Sequence, residues 1–500
     1  MATLLQYRAL RTKAQNLADE PSPLGYTEKS VQGKRIFIVG WDGPDDPENP
    51  KNWSKSRKWL ATVFVSLLAL LVGVCGPIET PVMKIAANEM GVSEVIESLS
   101  VALFLVGLGC GSLISGPVSE VFGRSRTYLL TLASMCIWLM GSALVSSPAG
   151  RLIFRFIAGF SGATPLVCSG GTIADLWSPL ERTFAFPFFA IMGFGTPALG
   201  PVMTAWIPDA SAGISWRWAE WIALILSAAV LVILVLFQPE TYAPALLSWK
   251  AKHLRQQTGD ERFQAEHEID QVSLTTRLKQ ACCRPFMLAW HETTIQLASL
   301  YLAVVYTVLF TFFDGYPKIF GDNYNVSPTV TYTIFVGITI GAFGNVFLIP
   351  VVYKKCQAVA RFSPQESDPV VRLWFALYAA PGLPISLFWM GWSARPSISI
   401  WSPIMASVLF GFSTTAIFIS ISMYLIDAYS TYAASAMAFS YLVRYLAAGG
   451  MTVAGIPWYD NLSPQWTLTI LGCLSVLLTP LPYIFFKFGI RIRGKPSRDT

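Results

Sequence analysis

Residues 98–145 read SLSVALFLVGLGCGSLISGPVSEVFGRSRTYLLTLASMCIWLMGSALV. Two apolar runs, near 97–117 and 127–147, flank one short charged turn. Each run has about the 20 residues that a helix needs to cross the hydrocarbon layer. No water reaches the backbone there, so each run must satisfy its own N–H and C=O groups as a helix. Working outward, runs of the same length recur near 59–80, 152–174, 184–206, 217–238, 295–316, 331–353, 372–392, 401–425, 433–456 and 466–488. Pro381, Pro384 and Pro403 interrupt the ninth and tenth. The reading is an all-α polytopic membrane protein of twelve transmembrane helices.

Composition agrees. The 500 residues are 53% hydrophobic and 13% charged, against about 25% charged in soluble domains. The first 58 residues hold no apolar stretch of signal-peptide type, so the first span is expected to direct insertion itself. Five of the eight cysteines lie inside apolar runs and none forms a CxxC pair. They read as small packing residues rather than a disulfide framework or metal site. Adjacent Cys282 and Cys283 are a weak palmitoylation pattern.

Lysine and arginine set the orientation. Twenty-nine fall on the side of the two termini and five on the other: Lys84, Arg151, Arg217, Lys318 and Arg395. Both termini are therefore expected in the cytoplasm. The chain divides into a cytoplasmic segment 1–58, a six-helix half 59–238, a central cytoplasmic loop 239–290, a second half 291–488 and a basic tail 489–500. Leu246, Leu247, Trp249 and Leu254 alternate with Lys250, Lys252 and Arg255, as in a short amphipathic helix on the inner membrane surface; a solvated linker is the plainer reading. The sequons at Asn325 and Asn461 fall on outside loops and are candidate N-glycosylation sites, although Pro follows each.

On charge and turn chemistry alone, Gly116-Pro-Val-Ser-Glu120-Val-Phe-Gly123-Arg124-Ser-Arg126 is a tight charged turn. It resembles the loop signature of the major facilitator superfamily. Arg155-Phe-Ile-Ala-Gly159 is similar to that superfamily's fourth-span motif, and Gly195-Thr-Pro-Ala-Leu-Gly200-Pro201 to the antiporter motif of drug exporters. Asp46-Pro-Glu-Asn-Pro-Lys-Asn-Trp53, Gly170-Gly-Thr-Ile-Ala-Asp175-Leu-Trp, Pro239-Glu-Thr-Tyr-Ala-Pro244 and Asp427-Ala-Tyr look like fungal twelve-span drug:proton antiporters and secondary-metabolite exporters. The resemblance covers about residues 42–490. It implies two six-helix halves that alternate access to a site between them. It also implies a proton gradient as energy source with no cofactor, no enzymatic activity, and a plasma-membrane location. The implied partners are a small-molecule substrate, protons and lipid, with no nucleic acid, and the chain would act as a monomer.

Charges inside a membrane cost roughly 2.5–3.5 kcal/mol on insertion scales and are functional candidates by default. Arg155 lies in the fourth span, and the resemblance implies a role in proton coupling; a structural donor to helix carbonyls is the alternative. Glu79 and Asp314 end the first and seventh spans near the outer face and are the candidate proton carriers. Arg444 in the eleventh span reads equally as structural. Glu120, Arg124, Asp175 and Arg182, with Gly116, Gly123 and Arg126, read as a cytoplasmic gate whose ion pairs bias two states. Gly195, Gly200 and Pro201 suit close packing and a kink. Gln296, Tyr306, Asn345, Tyr441 and Tyr445 are candidate pocket residues for a lipophilic, weakly polar ligand; aromatic residues at helical spacing also simply pack. With three histidines in all, no metal site is expected. The expected function is proton-coupled export of small amphipathic organic compounds. The alternatives are a polyamine or nutrient transporter of the same fold, or a non-transporting membrane sensor.

Overall fold

A computed structural model describes residues 1–19, 26–31, 34–209, 214–269, 274–362, 369–429 and 432–492. Most of the basic tail therefore lies outside the described residues. Among the described residues, ten helical segments are long and apolar enough to cross a membrane: Lys55–Met90, Glu94–Phe122, Arg124–Leu144, Pro148–Leu176, Trp218–Phe237, Thr293–Asp322, Pro328–Val359, Pro369–Ser393, Trp401–Ala428 and Pro464–Phe488. The broken segment 182–204 and the helix Ala433–Asn461, made more polar by Arg444 and three tyrosines, complete twelve spans. They are numbered here in chain order. The ends of the even spans and the starts of the odd ones form the terminal face, and the opposite ends form the far face.

Proline shapes two of the spans that matter most. Span 1 runs as a helix to Cys75 and resumes at Met83 after a 3-10 turn, with Pro77 and Pro81 in the break. A proline supplies no N–H, so the ladder opens and carbonyls are freed. Glu79 sits in that break. Span 5 opens between Phe194 and Leu199, around Thr196 and Pro197. Span 9 breaks near Pro381 yet continues as one crossing.

Glycines set the closest helix crossings. A Cβ on Gly159 would lie 2.0 Å from the Phe104 carbonyl oxygen, and one on Gly107 would lie 2.2 Å from that of Phe156. Spans 2 and 4 therefore touch backbone to backbone. The second half repeats this: a Cβ on Gly341 would lie 1.9 Å from the Val408 oxygen, and one on Gly411 would lie 2.0 Å from that of Ile338. Without a hydrophobic force between helices in lipid, such contact is what holds them. Gly159→Val is expected to cost well over about 3 kcal/mol, because the clash is with backbone that cannot turn aside. The purified variant should lose its monodisperse gel-filtration peak, whereas Gly450→Ala, whose Cβ meets nothing within 4 Å, should keep it.

The segment before span 1 folds against the loop between the halves. Helix Ala2–Asp19 packs its Leu10 and Ala14 on helix Ala243–Thr258, whose Leu246, Trp249 and Leu254 are buried. A three-stranded sheet, Tyr26–Val31, Lys34–Val39 and Phe263–Gln264, joins the two segments. The apolar stripe of 246–254 thus meets the N-terminal helix rather than a membrane surface, because that helix offers a matching apolar face. Lys13 bridges Asp42 and Asp46 at 2.9 and 2.7 Å, and Lys250 reaches Asp42 at 2.6 Å. Burial raises the Asp46 carboxyl, but Lys13 and the amides of Asp42 and Glu48 outweigh it and hold the group below its ordinary range.

Candidate functional site

The break in span 1 carries Glu79 into the first half, where five charges meet. Arg151 donates to Glu79 at 2.6 Å and pairs with Glu97. Arg155, fully buried, lies 3.4 Å from Glu79 and 3.7 Å from Glu220 of span 6. It also donates to the carbonyls of Cys75 and Gly76, at 3.3 and 2.8 Å, which the proline break leaves at a helix end. Ser100 donates to Glu79 at 2.8 Å and Ser142 to Glu220 at 2.6 Å. Trp216 faces the Arg151 guanidinium at 4.1 Å, and Phe104 faces that of Arg155 at 4.6 Å. Three carboxylates against two guanidiniums leave one negative charge in excess when all are ionised. Glu220 Oε2 has no hydrogen-bond partner among the described residues. An uncompensated buried charge is costly, and this cluster holds one carboxylate more than its guanidiniums can pair.

Asp314 stands apart from it. Its Oδ2 lacks a partner among the described residues, and Tyr459 crowds the neighbouring Gly315. Asp314 lines a cavity of about 1000 Å³ that opens on the far face between the halves, with Thr80, Met83, Glu94, Lys318 and Tyr332. Thr80 of this wall follows Glu79 directly in the chain.

At the terminal face a set of polar contacts crosses between the halves as a latch. Arg372, at the start of span 9, donates to Asp427 of span 10 at 2.6 Å, and also reaches Thr183 and the Pro179 carbonyl of the other half. Arg182 lies 3.9 Å from Asp427. Arg124 and Asp175 do meet, at 3.3 Å, but within the first half. Glu120 is exposed and makes no ion pair with a described residue, so it stands outside the latch. Its place is taken by Glu240, which accepts from the amides of Arg124 and Ser125 at 3.0 and 3.1 Å and so caps the start of span 3. Gly123, with φ of 87°, turns the chain beside it. Arg126 lies over Trp249, 5.0 Å from its ring centre. Gly116 faces Ala434 across the halves.

Midway between the faces, Tyr306, Tyr441 and Tyr445 converge on Arg444. The other two candidate pocket residues lie elsewhere. Gln296 is exposed and donates to the Ala289 carbonyl at 2.7 Å, closing the helix junction before span 7. Asn345 is buried and donates to the carbonyls of Ala342 and Phe412, tying span 8 to span 10. In span 5, Gly195 abuts Ala342 of the second half, and Gly200 abuts the Val74 carbonyl beside the span 1 break; Pro201 is buried next to it. Asn325 and Asn461 are both exposed on the far face. Sequence reading missed Glu97, Glu220, Arg372 and Asp427 as site residues. Glu220 lies in the first turn of span 6 and Glu97 in that of span 2, where a carboxylate looks merely wet; only the fold shows both buried.

Residues 62–452 match the family model described as Major Facilitator Superfamily. The chain is 49% identical over 472 residues to the MFS-type transporter kojT of Aspergillus flavus, covering 94% of this chain and 84% of that relative. It is 32% identical over 463 residues to the ascochitine biosynthesis cluster MFS transporter of Didymella fabae, covering 91% and 88%. Among solved structures it resembles the xylose transporter XylE from E. coli in a partially occluded inward open conformation. The TM-score is 0.60 at 16% identity, covering 87% of this chain and 98% of that one, a likeness of fold. Twelve helices in two glycine-crossed halves, the family match and the long relatives agree that this chain is a membrane transporter, not an enzyme, and belongs to the Major Facilitator Superfamily.

Proposed function

We propose that the protein exports small organic compounds from the cytoplasm in exchange for protons, by alternating access between its halves. The observation that carries this reading is the buried cluster of Glu79, Glu97, Arg151, Arg155 and Glu220, one carboxylate in excess, whose Glu79 adjoins Thr80 of the far-face cavity wall in the chain. Arg155 and Glu79, both expected from sequence to serve coupling, sit in it together. A proton entering from the far side neutralises the excess charge at Glu220. Arg155 then loses one of its two carboxylate partners, and its hold on the span 1 carbonyls and on span 6 is redistributed. That is the kind of local charge change that biases a two-state element. Asp314, on the second half, faces the same cavity and is a second proton acceptor within reach of the far side.

In this scheme the terminal face is cytoplasmic, as the lysine and arginine bias supports, and the latch of Arg182, Arg372 and Asp427 is the cytoplasmic gate. The described conformation then faces outward, and the protein works as a monomer in the plasma membrane. One relative is named for a biosynthesis cluster, which supports a secondary metabolite as cargo within the fungal drug:proton antiporter group.

The test is reconstitution into vesicles with and without an imposed pH gradient, following a panel of lipophilic compounds. Gradient-dependent movement with proton counterflow supports antiport; movement indifferent to the gradient overturns it. Glu220→Gln, which keeps the shape but fixes the neutral form, is expected to retain exchange down a concentration gradient. Gradient-driven accumulation should fall at least about tenfold. Unchanged accumulation would remove Glu220 from the coupling scheme.

A further inference from the structure

Arg444 differs from the other deeply buried arginines. Arg124, Arg151, Arg155 and Arg372 each hold a carboxylate. Arg444, 2% exposed, holds none among the described residues. Its Nη2 donates to the Tyr445 hydroxyl at 3.1 Å, while Nε and Nη1 have no hydrogen-bond partner among the described residues. Four rings surround it: Tyr306, Phe418, Tyr441 and Tyr445, at 4.8, 4.9, 4.2 and 4.7 Å from the guanidinium carbon. Ring faces ease the charge, but they leave idle most of the five N–H donors that a guanidinium carries.

The setting explains what those donors await. A small cavity of about 10 Å³ touches Arg444 and lies on the seam between the halves. One wall is Leu166, Phe189 and Phe194 of the first half; the other is Tyr306, Phe418 and Tyr441 of the second. Phe194 stacks on Phe418 at 4.5 Å across that seam. When the halves part, this contact opens and the unpaired donors face the passage, flanked by flat rings.

We propose that the cargo is a small planar organic acid, and that Arg444 binds its oxyanion while the surrounding rings hold its plane. A planar guanidinium fork matches an oxyanion in geometry as well as charge. A cationic cargo such as a polyamine is repelled from the same place. The inference rests on the transporter reading above and adds the charge and shape of the substrate.

Two measurements on the full chain separate this inference from that reading. The first is equilibrium binding in lipid nanodiscs of salicylate and 2-naphthoate against their neutral amides. Wild type is expected to bind each acid at least about tenfold more tightly than its amide. In Arg444→Gln the acid should fall to the level of the amide, and Arg444→Lys should recover part of the difference. Equal binding of acid and amide by wild type, or no binding of either acid, overturns the proposal without recourse to any variant; so does a preference that survives Arg444→Gln. The second is movement of the same compounds in vesicles under a pH gradient. Acids bound but never moved keep the anion site and sink the transport reading. Acids and amides moved alike, with equal affinity, sink the anion site alone.

Discussion

Replacing Arg155 with Ala is expected to abolish gradient-driven transport, by at least about a hundredfold, and to destabilise the first half by roughly 3–5 kcal/mol, as loss of one partner from a buried ion network does. Arg151 would then face Glu79, Glu97 and Glu220 alone. Two of the three carboxyls must be neutral for the cluster to balance, and a group that stays protonated cannot carry a proton through a cycle. The carbonyls of Cys75 and Gly76 also lose their donor, and an unpaired buried carbonyl costs about 1–3 kcal/mol more. Because that variant is weakened as well as uncoupled, Arg155→Lys is the sharper test. An ammonium keeps the charge but lacks the planar fork that reaches two carbonyls and two carboxylates at once. The lysine variant should run as a monodisperse species, yet its gradient-driven transport should fall at least about tenfold with an altered pH profile. Full proton-driven transport by both variants, measured in vesicles, would reduce Arg155 to a helix brace.

Asp427→Asn is expected to open the terminal face. Asp427 is the only carboxylate among the described residues paired with Arg372 at 2.6 Å and Arg182 at 3.9 Å. Without its charge, two guanidiniums, one from each half, are left with no counter-ion at the seam. Loss of one partner of a largely buried pair is worth about 2–4 kcal/mol, enough to shift a two-state population tens- to hundreds-fold. Hydrogen exchange should quicken in the segments around Pro179–Thr183 and Pro369–Leu373, and transport should slow because the state closed at the terminal face is rarely regained. Unchanged exchange in both segments would show that the latch does not hold the closed face. Glu120→Gln makes a useful contrast: that side chain is exposed and outside the latch, so neither exchange nor transport should move.

Much of this protein is set by its sequence. Twelve apolar runs of membrane length leave the backbone no option but helices, and Gly107, Gly159, Gly341 and Gly411 lie where helices need contact without side chains. Prolines in the first, fifth and ninth spans mark where the ladder opens, and the turn at Gly116–Arg126 marks the superfamily resemblance. These features are local: each follows from a period, a ring or a missing Cβ, and can be read one segment at a time. Arg155, Glu79 and three tyrosines were legible as candidates because a charge or a ring inside an apolar run stands out.

Pairing was not legible, because it depends on distances between residues far apart in the chain. Glu220 stands in the first turn of a helix, where nothing in the sequence marks it, and span 6 places it against Arg155, 65 positions earlier. Arg372 looked like one more positive charge until the seam between the halves brought it to Asp427. Gln296 and Asn345 looked like pocket amides, but helix-end and helix-crossing carbonyls claim them. Arg444 gave the opposite lesson: sequence showed a charge in a membrane, and only the tertiary structure showed that no carboxylate among the described residues comes to meet it. Hydrophobic period and backbone chemistry fix what forms and where it breaks, whereas burial and ion pairing arise only when separate elements pack, and those two properties decide which charges can work.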